Sequence, residues 1–563
     1  MKLHSFHIPV MGIAFTIDTP LKVSHLGIDS TISLVDDILL EKLRKLYCEK
    51  FEMPYHEIHD GIKDFRAERI TSYLNLIKGL ADKKFEQLKD VSSGYSDGLK
   101  QYFEMLPDTS SLKKRFFDLA KKTDRTDTLR EFLDENISMG NIDVNIMTKL
   151  DRENHQKKVP LSNKYNDAHA ALRGYAKSDL SSAVIFSAGM NPRLYSYIEE
   201  FDDFYPDRNG NIKKKIILKV SDYRSALIQG KFLAKKGLWV SEYRIESGLN
   251  CGGHAFATDG QLMGPILAQF RDGKEALVSE TNALLTRALS DRKRDVPQSV
   301  LPVKITAQGG VGTAEEHNFL LEHYQLDSVG WGTPFLLVPE ATTVDDNTLL
   351  KLSQAKEKDL YLSNISPLGV PFNSLRSNTK DLEKRSNIKK NRPGSACPKE
   401  YVALNKEFTS KGICTASRQY QHLKIQELDK KNLDPESRQK AYDKIVEKSC
   451  ACVGLGTSAL LKYGMDTKTE GDGVSVCPGP NMAYFSKIAS LKEMKQHIYG
   501  ESNLIKRTDR PHMFVKELKI YIDFLKAKIE ETKGSVTDKQ LSYLSTFTNN
   551  LHKGVSYYQT IFG

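Results

Sequence analysis

The sequence predicts an α/β protein: a TIM (β/α)8 barrel with a long helical insertion after its second strand and a mainly helical C-terminal extension. Three observations predict it. Short apolar runs end in glycine or polar turns, helix-spaced segments separate most of them, and two glycine loops follow one another late in the series. The runs lie near residues 8, 28, 183, 215, 238, 303, 328 and 360, which makes eight strands.

In chain order, Ile8 to Ala14 and Gly27 to Leu34 are the first two runs, and Asp18-Thr-Pro-Leu-Lys-Val-Ser-His25 between them reads as a short helix. From residue 37 to 178 long charged segments take over. Ile70, Tyr73, Leu74, Ile77 and Leu80 fall on one helical face, and Asp108-Thr-Ser-Ser before Leu112 supplies a helix cap. Strand-like runs resume at Ser182 to Gly189, closing on Gly-Met-Asn-Pro192, and at Lys215 to Ser221, before a helix reaching Lys236. Gly237 to Tyr243 then leads into Ser247-Gly-Leu-Asn-Cys-Gly-Gly-His-Ala-Phe256. Pro302-Val-Lys-Ile-Thr-Ala-Gln-Gly-Gly-Val-Gly-Thr313 opens onto a helix from Ala314 to Tyr324, Ser328 to Phe335 repeats the theme, and Asp359 to Ile365 supplies the eighth strand. The predicted organisation is therefore a barrel over 1–36 and 179–380, a helical insertion over 37–178, a basic, cysteine-bearing region over 381–485 and a helical tail over 486–563.

Composition sets the outer limits. With 563 residues, 39% hydrophobic and 27% charged, the chain has the profile of a folded protein of two or three domains, not of a collagenous or disordered one. No stretch of 18 apolar residues occurs and the first residues lack a secretory core, so a cytoplasmic protein without a membrane span is expected. The net charge of +10 fits anionic ligands, an acidic carrier protein or nucleic acid. Lys384 to Pro393 is basic but has no interleaved aromatics, so a solvated loop is expected there rather than an RNA contact.

The glycine loops carry the first functional reading. Glycines let the backbone approach an anion, and the exposed amides, with a helix N-terminus behind them, favour negative charge. Gly309, Gly310, Gly332 and Thr333 are thus candidates to hold one phosphate between the loops after the sixth and seventh strands. His254 follows two glycines at a strand end and is expected in the barrel mouth, either as an acid/base or as a hydrogen-bonding orienter. Lys219 ends the fourth strand, facing either a bound anion or solvent. Asn191 is either a substrate contact or part of an Asn-Pro loop. Cys251 reads as a small buried residue. Cys397, Cys414, Cys450, Cys452 and Cys477 admit an iron-sulfur subset, structural zinc or free thiols, and their spacing selects none of these.

The ordered set Pro9-Val-Met-Gly-Ile-Ala14, Phe186-Ser-Ala-Gly-Met-Asn-Pro192, Lys219-Val-Ser-Asp222, Gly252-Gly-His254, Ala307-Gln-Gly-Gly-Val-Gly-Thr313, Gly330-Trp-Gly-Thr-Pro-Phe335 and Gly369-Val-Pro-Phe-Asn-Ser-Leu-Arg376 resembles the nitronate monooxygenase family, formerly called 2-nitropropane dioxygenases. These are FMN-dependent TIM-barrel enzymes that include bacterial FMN-dependent enoyl reductases. The resemblance covers residues 8–36 and 182–380. It implies FMN, with Met11, Gly12, Ile13, Ala14, Lys219 and Gly253 beside it in addition to the phosphate residues, and His254 as catalytic base. It implies oxidation of a small carbanion-like substrate, such as an alkyl nitronate, with O2 as acceptor. The rivals are NAD(P)H-dependent reduction of an activated double bond, of the enoyl-thioester type or in an RNA base, and a non-catalytic ligand-binding or scaffold protein. Asn250-Cys251 before Gly-Gly-His departs from the family pattern, and the insertion and the cysteine-bearing third have no counterpart in it.

Overall fold

A computed structural model describes residues 3–91, 96–122, 126–156, 159–532 and 536–563. Eight parallel strands form the centre: β1 (Phe6–His7), β2 (Ser30–Ser33), β3 (Ile142–Met147), β4 (Ser182–Ser187), β5 (Lys214–Val220), β6 (Val240–Glu246), β7 (Lys304–Gln308) and β8 (Ser328–Gly330). Their spatial order is β1-β8-β7-β6-β5-β4-β3-β2, and a parallel bridge between Ile8 and Ser30 joins the first strand to the second. The sheet is thereby closed into a barrel with helices outside it, as the sequence predicts.

Two elements differ from the sequence reading. The third strand is Ile142–Met147, inside the stretch predicted as helical insertion, and the run near 360 is not a barrel strand. That run is β9 (Leu360–Ser363), paired antiparallel with β10 (Phe372–Leu375) beside the barrel. β3 escapes an apolar search because alternate residues, Asp143 and Asn145, serve a polar lumen while Val144 and Ile146 join the outer core. Burial comes first among the causes that raise the Asp143 carboxyl to about 7, and the neighbours it senses include Arg244 and Glu242 of β6. β6 alternates likewise: Arg244 donates to Glu242 at 2.8 Å, Thr306 of β7 donates to the same carboxylate at 2.6 Å, and Tyr243 and Ile245 pack outward. Ala183, Ile185 and Ile217 form a small apolar cluster separate from the main core, which completes a filled lumen.

Between β2 and β3 stand the helices Asp37–Lys50, Phe65–Lys89, Asp97–Met105, Ser111–Lys122 and Thr126–Asn136. The first is capped by Asp36, which accepts from the Leu39 amide at 2.8 Å; the second buries Ile70, Tyr73, Leu74, Ile77 and Leu80, the face seen in the sequence. Arg66 and Arg69 both bind Asp37 and lock the two helices together. The basic stretch expected as a solvated loop begins instead inside the helix Thr379–Lys389, after which the C-terminal third wraps the barrel with little regular structure until the helices Arg418–Asp429, Pro435–Val446 and Ala451–Lys462. Leu491–Ile498, Met513–Glu531 and Asp538–Phe562 then form the helical tail that the spacing predicts. A buried Lys399 ties this third to the barrel, binding Asp36 at 2.6 Å and Glu470 at 3.3 Å. Among the described residues no helix is long and apolar enough to cross a membrane.

Candidate active site

A cavity of about 360 Å³ opens at the C-terminal ends of the strands, within the range of small-molecule sites. Met11, Gly12, Ile13, Lys219, Gly253, His254, Gly309, Gly310, Gly332 and Thr333 all line it, so residues spread over more than 300 positions meet in one place. Ala14 and Asn191 do not. Ala14 is fully buried beneath the first loop. Asn191 caps the helix Pro192–Tyr197, accepting from the Leu194 amide at 3.1 Å, while its amide group donates to the Thr148 carbonyl at 3.1 Å. With its hydrogen bonds spent on the loop, Asn191 is a structural residue here rather than a cavity contact.

The two glycine loops form one wall. Gly309 and Gly310 adopt φ of +112° and +83°, and a Cβ on Gly310 would collide with the Asn250 side chain. Among the described residues the amides of Gly310, Val311 and Gly332 have no protein acceptor. The helix behind the first loop is already satisfied: Thr313 caps it at the Glu316 amide (3.2 Å), and the Glu316 carboxylate accepts from the Gly312 amide at 2.8 Å. Arg510, from the C-terminal third, neutralises Glu316 at 2.7 Å and donates to the Gly310 carbonyl at 3.0 Å. An anion here would therefore sit on loop amides, not on the helix terminus.

The C-terminal third supplies the facing surface. The Gly479 amide donates to the Thr333 hydroxyl at 2.9 Å, the Asn481 side chain donates to the Val311 carbonyl at 2.7 Å, and the Gly253 amide donates to the Cys477 carbonyl at 3.1 Å. Cys251, Cys452 and Cys477 line the cavity, whereas Cys397, Cys414 and Cys450 lie behind it. Burial pushes the Cys477 thiol up to about 12 and the Cys251 thiol well above its ordinary value, so neither is an activated nucleophile.

Deeper in the mouth are polar groups the sequence reading passed over. Asn145 donates to the Ser187 hydroxyl at 3.2 Å, and Gln308 donates to Glu246 at 2.6 Å. The amide oxygens of both side chains are buried and have no partner among the described residues. Lys219 is held by Glu246 at 3.0 Å, so most of its charge is already compensated. Gln308 stands directly before Gly309 and was legible by position, and Asn145 was legible only once β3 was recognised.

His254 is positioned by the hairpin that was expected to be a barrel strand. Its segment pairs antiparallel with β10: Ala255 donates to Pro371 at 2.9 Å and Asn373 donates to Gly253 at 2.9 Å. The ring stands edge-on to Phe372, centroids 4.9 Å apart, with Nε2 2.7 Å from the Ser366 hydroxyl. Burial, then the positive charges of Lys219 and Lys149, lower its pKa to about 4, so the imidazole is neutral at pH 7.

No protein-family model matches the chain, and no curated protein matches it. Among solved structures it is similar to FabK from Thermotoga maritima (14% identity, 93% of this chain and 97% of that chain, TM-score 0.36). It is also similar to the enoyl reductase domain of MlnA from the macrolactin biosynthesis cluster of Bacillus amyloliquefaciens (16% identity, 75% and 89% covered, TM-score 0.33). A third is nitroalkane oxidase from Streptomyces ansochromogenes (10% identity, 88% and 94% covered, TM-score 0.37). With every one of these TM-scores below 0.5, the likenesses carry no argument about activity, which has to come from the site itself.

Proposed function

We propose that this protein is an FMN-dependent oxidoreductase acting on a small carbanion-like substrate of the alkyl nitronate type, with O2 as electron acceptor. The observation that carries the reading is one cavity with unspent backbone amides on its glycine wall and unpartnered amide oxygens, from Asn145 and Gln308, deeper in the mouth. That donor and acceptor set fits a ligand with a phosphate at one end and a hydrogen-bonding ring at the other, which FMN is. When bound, FMN supplies the redox chemistry.

The chain's own residues then divide the remaining work. The amides of Gly310, Val311 and Gly332, with the Thr333 hydroxyl, hold the phosphate. Met11, Gly12 and Ile13 would pack against the flat ring system, and the free amide oxygens of Asn145 and Gln308 would accept hydrogen bonds from the cofactor. Lys149, which lines the cavity, keeps the substrate side positive and favours an anion, while Lys219 is compensated by Glu246. His254, neutral at pH 7 and oriented by Ser366, can take the proton from the carbon of the parent nitroalkane, which leaves the nitronate as the species to be oxidised.

Anaerobic stopped-flow measurement of flavin reduction tests the reading. Bleaching by an alkyl nitronate, with a slow response to NAD(P)H, is expected. Rapid bleaching by NAD(P)H with no response to nitronates would instead establish the reductase, and an enoyl thioester on an acidic carrier protein would become the substrate to try.

A further inference from the structure

Among the described residues no group of three or more His, Cys, Asp or Glu could hold a metal ion, and the cysteines in and behind the cavity wall are free thiols. The positive charge that the mouth offers a ligand comes instead from two lysines lining it, and the two differ. Lys219 is neutralised by Glu246 at 3.0 Å. Lys149, two residues past the end of β3, has no carboxylate partner among the described residues. Its ammonium stands 5.2 Å from the centroid of the Phe256 ring, another cavity residue, and an aromatic face steadies a cation without cancelling its charge.

Beside Lys149 lies the turn that follows β4. A Cβ on Gly189 would stand 4.0 Å from the Lys149 side-chain stem, so the lysine runs alongside this turn. Ala188 and Gly189 both line the cavity and both take left-handed backbone, with φ of +68° and +95°, and their amides have no protein acceptor among the described residues. An alanine rarely adopts that conformation, and strain of this kind concentrates at ligand clamps. Consecutive unspent amides next to an ammonium make a surface for an anion. β3 and β4 lie across the barrel from β7 and β8, so this surface is separate from the glycine wall. It is also separate from His254, which is held on the hairpin side by Ser366 and Phe372, whereas Phe256 meets Lys149.

We propose that Lys149 and the amides of Ala188 and Gly189 form an anion subsite, and that the substrate carries a second negative group, a carboxylate or a phosphate on a short carbon chain, that binds there while the reacting carbon lies by His254. This rests on the reading of the cavity as the substrate site of an FMN-dependent oxidoreductase. An ammonium is a point charge without the fixed fork of a guanidinium, so it accepts either anion and ranks ligands by charge. A substrate with an uncharged end leaves it unpaired.

The test uses the full chain and three nitronates on the same carbon stem, one ending in a methyl group, one in a carboxylate and one in a phosphate. On the unaltered chain a charged end should raise kcat/KM about tenfold or more, and the better of the two identifies the second group. Lys149→Gln should erase that ratio through KM rather than kcat, and Lys149→Arg should keep most of it. Equal kcat/KM for all three, or a ratio that survives Lys149→Gln, would overturn the subsite. Should the chain turn over no nitronate, the oxidase reading is what has failed, and calorimetric titration of the full chain with butyrate, butyl phosphate and butanol decides the subsite alone. Anion binding that Lys149→Gln weakens about tenfold supports it; anions that bind no better than the alcohol contradict it.

Discussion

The strand-end loops of the barrel and the C-terminal third that covers them build the same cavity in opposite ways. The loops act locally: each strand delivers one or two residues at its end, and glycines set the backbone where an anion is to sit. The C-terminal third acts at long range. Lys399 and Tyr401 reach Asp36 at 2.6 and 2.8 Å, Gly479 and Asn481 bond to Thr333 and Val311, and Arg510 holds Glu316. The difference teaches that the barrel supplies an open cradle and the later sequence supplies its closing wall, so the extension is part of the site rather than an appended domain.

The largest effect is expected on the barrel side. His254→Ala should lower turnover on the parent nitroalkane about 10²–10⁴-fold while FMN remains bound, and unchanged turnover would remove His254 from the chemistry. With the unaltered chain, kcat/KM should be level through neutral pH and fall as pH drops through about 4, where the imidazole protonates. On the C-terminal side, Lys399→Ala leaves Asp36 buried without its cation, while Glu470 keeps Lys42 at 2.8 Å, and should cost about 3–5 kcal/mol of stability in a urea melt. A loss below about 1 kcal/mol would show that the wall is not fixed through this network.

Smaller effects sharpen the boundary between the two. Gly310→Ala must place a Cβ against Asn250 at a φ of +83°, a strain of about 1–3 kcal/mol. FMN affinity should then fall about tenfold or more in a fluorescence titration. Equal affinity would locate the phosphate elsewhere. Glu517, on the C-terminal helix Met513–Glu531, receives hydrogen bonds from Ser247, Met263 and Tyr558, and burial raises its pKa to about 7. A raised carboxyl favours folding below its unfolded pKa and loses that contribution as pH rises through about 7. The melting temperature should therefore decline across that window, and Glu517→Gln should flatten the decline.

What was legible in the sequence was whatever depends on neighbours in the chain. The glycine turns, Gly252-Gly-His254 and the helix after Thr313 are local grammar, and the structure brings them into one cavity. β3 was hidden because a strand that lines a polar lumen alternates Asp143 and Asn145 with apolar residues and sits between charged helices. The run near 360 looked like a barrel strand because strand propensity does not specify a partner; its partner is β10, and together they clamp His254. Asn191 misled for a similar reason, since a capping asparagine and a substrate-binding one share the same local pattern. The approach of residues 397–481 to the mouth depends on contacts spanning hundreds of residues, which leave no periodic trace.

The central claim is that this jointly built cavity holds FMN. Purification of the full chain followed by an absorbance spectrum, and quantification of the flavin released on denaturation, tests it most directly. One FMN per chain, bound on isolation or taken up on titration, is the expected result. A folded, colourless chain that cannot be loaded with FMN would contradict it and leave the scaffold reading in its place.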